Sequence, residues 1–228
     1  MMTLSPLEIY EKLNTAYGPQ QWWPAEAPFE VMVGAILVQN TSWENAHEAI
    51  NNLKEKNMLD HESIANSSLQ DLAEVIRPSG TYMQKARYLH GFTTFYIEHG
   101  KRQGLMKWPM SVQRSHLLKL YGIGPETADS IMLYALDRPI FVIDDYTKRL
   151  LVRLGHFDYI LGYEAIQHYI QQRLPESLPL FQEFHALIVE HGKRHCKSKP
   201  LCDQCPLFDY CPTPDKSQMD HTLDTDVD

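Results

Sequence analysis

Four cysteines stand close together near the C-terminal end, as Cys196-x5-Cys202-x2-Cys205-x5-Cys211, and the chain has no others. Thiolates are soft donors, and four in so short a stretch can enclose one metal centre, either a 4Fe–4S cluster or a structural zinc. Paired disulfides are the plainer use of four cysteines. The opening residues MMTLSPLEIYEKL lack the basic start and apolar core of a secretory signal, so the thiols are expected to stay reduced and the protein to be cytoplasmic. A second feature is Leu120-Tyr121-Gly122-Ile123-Gly124-Pro125-Glu126-Thr127-Ala128. Two glycines let the backbone turn tightly and leave its amides unshielded. With a helix starting directly behind them, those amides make a seat for a phosphate group. A turn between two helices needs glycine whatever its function, so Gly122 and Gly124 alone say little.

Charge gives a mixed signal. The formal net charge is −8, which argues against a simple polyanion binder. Residues 213–228 carry five aspartates against Lys216 and contribute −4 of it; they read as an acidic, disordered tail. In contrast, Lys193, Arg194, Lys197 and Lys199 flank the first cysteine, and such a local patch can hold phosphate on a mildly acidic protein. No apolar run approaches the roughly 18 residues needed to cross a bilayer, so no membrane role is expected.

The elements that must position these residues read as helices almost throughout, which implies an all-α fold. Residues 29–38 are apolar on every side, the pattern of a buried helix. Thr41 with Glu44, and Ser67 with Gln70, are capping-box signals that open two further helices. Pro78 and Gly80 close the second of these. Residues 82–98 form another, and Pro109 and Ser111 precede one that runs to Leu120. Pro125 suits the first turn of a helix over 125–136. The β-branched run Ile140–Ile143 has no partner strand and reads as an extended connector. Helices follow near 145–154, 163–173 and 179–192.

Taken in order, the Leu120–Ala128 segment, Val142-Ile143-Asp144, and His191-Gly192 leading into the cysteines resemble the helix-hairpin-helix (HhH-GPD) DNA glycosylase superfamily, in its endonuclease III branch. The likeness runs from about Phe29 to Cys211. It implies a two-domain fold: a helical barrel over residues 28–137 ending in the hairpin, and an iron–sulfur domain built from 1–27 and 138–212. Double-stranded DNA with a damaged base would lie in the groove between them, bound by a monomer. The family usually places six residues between its first two cysteines, where this chain has five. The other gaps match, so the resemblance favours 4Fe–4S over zinc. A cluster there would fix a basic loop bearing Lys193, Lys197 and Lys199 against the DNA backbone.

By the same resemblance Asp144 is the catalytic aspartate, although an aspartate before a helix is also an ordinary N-cap. Members that also cut the backbone carry a lysine two residues after the second hairpin glycine. This chain has Glu126, and a carboxylate cannot form a Schiff base, which implies base removal without strand cleavage. Trp22-Trp23-Pro24, and Trp43 after the Gln39-Asn40-Thr41 loop, resemble the 3-methyladenine glycosylases of the endonuclease III type. Trp22, Trp23 and Trp43 are thus expected to line the base pocket, with Glu126 at its border, and Gln39 or Asn40 to fill the gap left in the duplex. Three alternatives stay open: excision of a mismatched or oxidised base, binding of damaged DNA without cutting it, and a zinc-stapled interaction module.

Overall fold

The computed structural model describes residues 3–159 and 161–212. The acidic tail expected over 213–228 lies outside the described residues. Among them are twelve α-helices and no strand, so the fold is all-α as expected. None of the helices is long and apolar enough to cross a membrane. The chain divides into two compact units. Among the described residues, one joins those up to Trp22 with those between Phe141 and Pro212; the other is Trp23–Ile140.

The Trp23–Ile140 unit contains α2 (Pro28–Leu37), α3 (Trp43–Glu55), α4 (His61–Asn66), α5 (Leu69–Val75), α6 (Tyr82–Glu98), α7 (Lys101–Leu105), α8 (Met110–Leu117) and α9 (Pro125–Tyr134). Helix α2 is the core element. Every residue from Glu30 to Leu37 is buried, and α3, α6 and α9 pack around it. Such a helix needs its polar ends satisfied. At the start, buried Glu30 pairs with Lys54 at 2.8 Å. At the end, Lys85 from α6 is 2% exposed and donates from Nζ to the carbonyls of Leu37 (2.9 Å) and Ser79 (2.5 Å). Burial pushes this lysine down to about 8.

Both capping signals sit one residue later than the sequence pattern placed them. Ser42, not Thr41, caps α3 by accepting from the Asn45 amide, and Ser68, not Ser67, caps α5 with Asp71 as its partner. The hydroxyl of Ser67 instead donates back to the Ile64 carbonyl and closes α4. Adjacent hydroxyl residues make the two frames equally plausible locally, and the preceding turn decides between them.

The other unit contains α1 (Pro6–Tyr17), α10 (Asp145–Arg153), α11 (Tyr163–Gln171) and α12 (Leu178–Arg194), with α1 and α10 both packed on α12. The connector segment 141–143 is buried and is neither helix nor strand. Its backbone groups still need partners, and α11 supplies them from side chains. Gln171 Oε1 accepts from the Phe141 amide at 2.8 Å, Gln167 Nε2 donates to the Phe141 carbonyl at 2.7 Å, and the Tyr163 hydroxyl accepts from the Ile143 amide at 3.3 Å. This scaffold delivers Asp144 to the first turn of α10 in a single position.

Candidate active site and cysteine cavity

Asp144 is the N-cap of α10. Its Oδ1 accepts from both the amide and the hydroxyl of Thr147, each at 2.7 Å. One carboxylate oxygen therefore does the structural job, and the other is left for something else. Oδ2 lies 3.6 Å from His185 Nε2, and the Asp144 side chain keeps 12% exposure. Burial works to raise its pKa. The His185 imidazole and the two Thr147 donors outweigh burial and hold the carboxyl below its ordinary range. A nearly enclosed carboxylate that stays ionised is a preorganised negative charge, suited to a developing cation.

The hairpin joins α8 to α9, and Arg114 and Asp129 lock the two helices together. Asp129 is fully buried and takes a bidentate pair from Arg114, at 2.8 and 3.1 Å. Within the turn, Gly122 has φ +83°, and a Cβ there would stand 2.2 Å from the Tyr88 ring. Gly124 differs: its φ is −86° and a Cβ would meet nothing within 4 Å. Gly122 is thus required by the fold, whereas Gly124 leaves open space beside the first turn of α9. Gly122→Ala should destabilise by about 1–3 kcal/mol, and Gly124→Ala by no more than about 0.5 kcal/mol. Thermal melts of the two variants check this contrast.

Gln39 is tied to this turn. Its Nε2 donates to the Gly122 carbonyl at 2.9 Å and to Thr127 Oγ1 at 2.8 Å. Asn40, the next residue, is exposed at φ +50°. Of the pair offered for filling a gap in a duplex, Gln39 must first release two bonds.

The tryptophans divide at the boundary between the units. Trp23 meets Trp43 edge-on at 5.3 Å and Tyr134 at 5.5 Å, with Gly34 of α2 beneath it, where a Cβ would stand 3.2 Å from the indole. Trp22 belongs to the other unit, where the Lys193 ammonium stands 5.9 Å from its ring centroid. Glu126 is exposed in the first turn of α9.

The four cysteines line one pocket together with Arg153 and His191. Arg153 is 3% exposed. It donates to the carbonyls of Lys197 (2.6 Å) and Ser198 (2.9 Å) and to Cys196 Sγ at 3.4 Å. Arg149 adds a bond to the Cys196 carbonyl at 2.8 Å. Buried His191, another lining residue, has its Nε2 4.0 Å from Cys205 Sγ and its Nδ1 2.9 Å from the Tyr17 hydroxyl. Burial pushes the Cys196 and Cys205 thiols up, against the pull of Arg153 on Cys196, so a bound cation is what would make them thiolates. Among the described residues, no three His, Cys, Asp or Glu side chains stand close enough to share one ion. Four thiols lining one pocket are the donor chemistry that either an iron–sulfur cluster or a zinc ion takes. Lys193, Lys197 and Lys199 are exposed on this loop and its approach; the first two also line an open groove with Tyr146 and Arg149. In that groove Tyr146 packs so closely on Gly192 that a Cβ would stand 2.1 Å from its ring.

The description "HhH-GPD superfamily base excision DNA repair protein" matches residues 33–176. The chain belongs to this superfamily. It is 47% identical over 201 residues to a protein of Methanocaldococcus jannaschii provisionally named a DNA repair glycosylase, covering 87% of this chain and 91% of that one. It is 31% identical to the endonuclease III of Thermotoga maritima over 180 residues, 78% of this chain and 79% of the relative. Among solved structures, the 3-methyladenine DNA glycosylase of H. pylori bound to 1,N6-ethenoadenine superposes with a TM-score of 0.75 and 29% identity, over 84% of this chain and 98% of that one. An endonuclease III–DNA complex superposes at 0.77 with 23% identity over 92% and 96%, which speaks for the fold.

In this HhH-GPD chain the sequence motifs located the hairpin, Asp144 and the cysteines. They passed over Tyr134, Arg153 and His185. Tyr134 and Arg153 read as ordinary helix residues, one apolar face and one cation. His185 had a weak signal: a histidine on the otherwise apolar face that also carries Phe181, Phe184 and Ile188.

Proposed function

We propose that this protein is a monofunctional DNA glycosylase that removes a cationic, alkylated base of the 3-methyladenine kind from double-stranded DNA. It acts as a monomer, by hydrolysis, and leaves an abasic site. The observation that carries this reading is the ionised, nearly enclosed Asp144 carboxylate at the head of α10. When the C1′–N bond breaks, its electron pair leaves with the base and positive charge builds on the deoxyribose. A fixed carboxylate stabilises that charge and orients the water that adds to C1′, whose proton it can accept.

Base recognition is assigned to Trp23, Trp43 and Tyr134. An electron-rich aromatic cluster attracts a cationic purine by stacking and cation–π contact, each worth about 0.5–2 kcal/mol. A base already weakly held by its sugar needs little protonation to leave. The H. pylori relative, named for 3-methyladenine and bound to an ethenoadenine, supports this substrate class. Glu126 supports hydrolysis without strand cleavage, because no amine stands at that position to capture the sugar. The open space at Gly124 and the exposed Lys193, Lys197 and Lys199 are assigned to phosphates, contacts that give affinity without sequence information. Asn40, with Gln39 behind it, is assigned to the gap in the duplex. A 4Fe–4S cluster, when bound, supplies structural order to the basic loop, held by Cys196, Cys202, Cys205 and Cys211.

Duplexes carrying 3-methyladenine, thymine glycol, uracil, or adenine opposite 8-oxoguanine test the assignment. Release of the alkylated purine is expected, with no enzyme–DNA adduct trapped by borohydride. Release of the oxidised pyrimidine alone would reassign the substrate, and a trapped adduct would reveal an amine nucleophile. Gly124→Ala should weaken DNA binding without lowering the melting temperature. A brown protein absorbing near ~400 nm is expected from the cluster; a colourless protein containing zinc would replace it.

A further inference from the structure

His185 lies on α12 and Asp144 at the head of α10, 41 positions apart in sequence. The fold brings His185 Nε2 to 3.6 Å from Asp144 Oδ2, with the two side chains only 7% and 12% exposed. The division of labour at the carboxylate is sharp. Oδ1 is saturated by the two Thr147 donors, while Oδ2 faces the imidazole. Helix capping explains Thr147 and leaves His185 without a role. Capping needs one oxygen. A second group at the other oxygen, contributed by a different helix, is what fixes the rotation of a carboxylate about its own bond.

We propose that His185 is a positioning residue for the reaction: its Nε2–H holds Oδ2 of Asp144 and so sets the face that the carboxylate turns toward the sugar. The role adds no chemical step of its own: His185 acts through Asp144. At 3.6 Å the contact is longer than an ordinary hydrogen bond, and catalytic contacts commonly tighten when substrate is bound. The acidity of Asp144 agrees with the geometry, since His185 is the leading influence that counters burial there. From α10 the charged group at His185 is Asp144 itself. From α1, which also packs on α12, Tyr10 comes nearby, its ring 5.8 Å from that of Phe184. On α12 the neighbouring Glu183 is engaged elsewhere, accepting from the Gln20 amide at 2.6 Å. The proposal rests on the reading of Asp144 as the working carboxylate.

Two variants test it. His185→Leu keeps bulk and removes the donor; His185→Gln keeps a donor. Single-turnover base release is followed across pH, with melting temperature and affinity for an abasic-site duplex as controls. His185→Leu should slow release by roughly 10–100-fold with affinity for the abasic duplex unchanged, and His185→Gln should recover most of the rate. Without His185, burial acts on Asp144 with less opposition and its midpoint rises. Activity disappears as pH falls through that midpoint, so the acid limb should move to higher pH. A folded His185→Leu with the original rate and acid limb overturns the proposal. So does a folded His185→Gln that is as slow as the leucine variant, because the donor would then be irrelevant. Should leucine prevent folding, the glutamine variant decides alone: a near-normal rate supports the donor role and a hundredfold loss overturns it. If the unaltered protein releases no base at all, the functional reading fails by itself. The carboxyl titration of Asp144, followed by carbon NMR in the unaltered protein and the variants, still decides the contact. A midpoint raised in His185→Leu supports it, and an unmoved one overturns it.

Discussion

Asp144→Asn should reduce base release by roughly 10³-fold while leaving the fold and the affinity for an abasic-site duplex nearly intact. The two effects separate because the two oxygens do separate jobs. Asn is as good an N-cap as Asp, so its Oδ1 can still accept from the Thr147 amide and hydroxyl and α10 keeps its start. What is lost is the negative charge at the second oxygen. That charge is the part of Asp144 that interacts with a developing cation, and it does so in a nearly enclosed position where screening by water is weak. A thousandfold corresponds to about 4 kcal/mol, reasonable for one preorganised charge. Single-turnover release from an alkylated duplex, with melting and binding measured in parallel, checks the expectation. An unchanged rate would remove Asp144 from the mechanism, whereas a collapsed melting temperature would mean that the carboxylate's main task is structural.

Arg153→Met should detach the cysteine loop from α10 and lower stability by about 3 kcal/mol. Arg153 is buried, and its guanidinium holds the Lys197 and Ser198 carbonyls and the Cys196 sulfur. Methionine fills much of the same space but donates nothing, so two part-buried carbonyls and the Cys196 sulfur lose their donor. For a chain of this size the melting temperature should fall by roughly 6–12 °C, with faster tryptic cleavage after Lys197. Arg153→Lys should fall between the two, since an ammonium keeps the charge but cannot reproduce the planar fork. Scanning calorimetry and limited trypsin digestion would measure both. Unchanged melting and digestion in Arg153→Met would show that the loop is held by other means.

Several parts of this architecture are written in local sequence. The run at 29–38, apolar but for Glu30, reads as a buried helix, and α2 is one. Pro125 behind two glycines suits the start of a helix after a turn, and α9 begins there. The run 140–143, apolar and β-branched with no second strand to pair with, is neither helix nor strand, and the glutamines and tyrosine of α11 that bond its backbone lie 20 to 30 residues away. Even the one-residue shift of the two caps is a local matter, decided among adjacent hydroxyls.

What only the tertiary structure decided is partnership. The motif names Asp144 because spacing from a glycine turn is a property of the chain itself. It cannot name His185, because the encounter of Oδ2 with that imidazole depends on how α12 packs on α10. The same holds for Tyr134 beside Trp23 and for Arg153 over the cysteine loop. Trp22 and Trp23 are neighbours in sequence, yet they fall in different units. Backbone hydrogen bonds and turn residues act over three or four positions, so sequence alone reveals the elements and their endings. Side-chain contacts between elements are set by how the apolar faces bury one another. That term sums over a whole unit and leaves no signature at any single position.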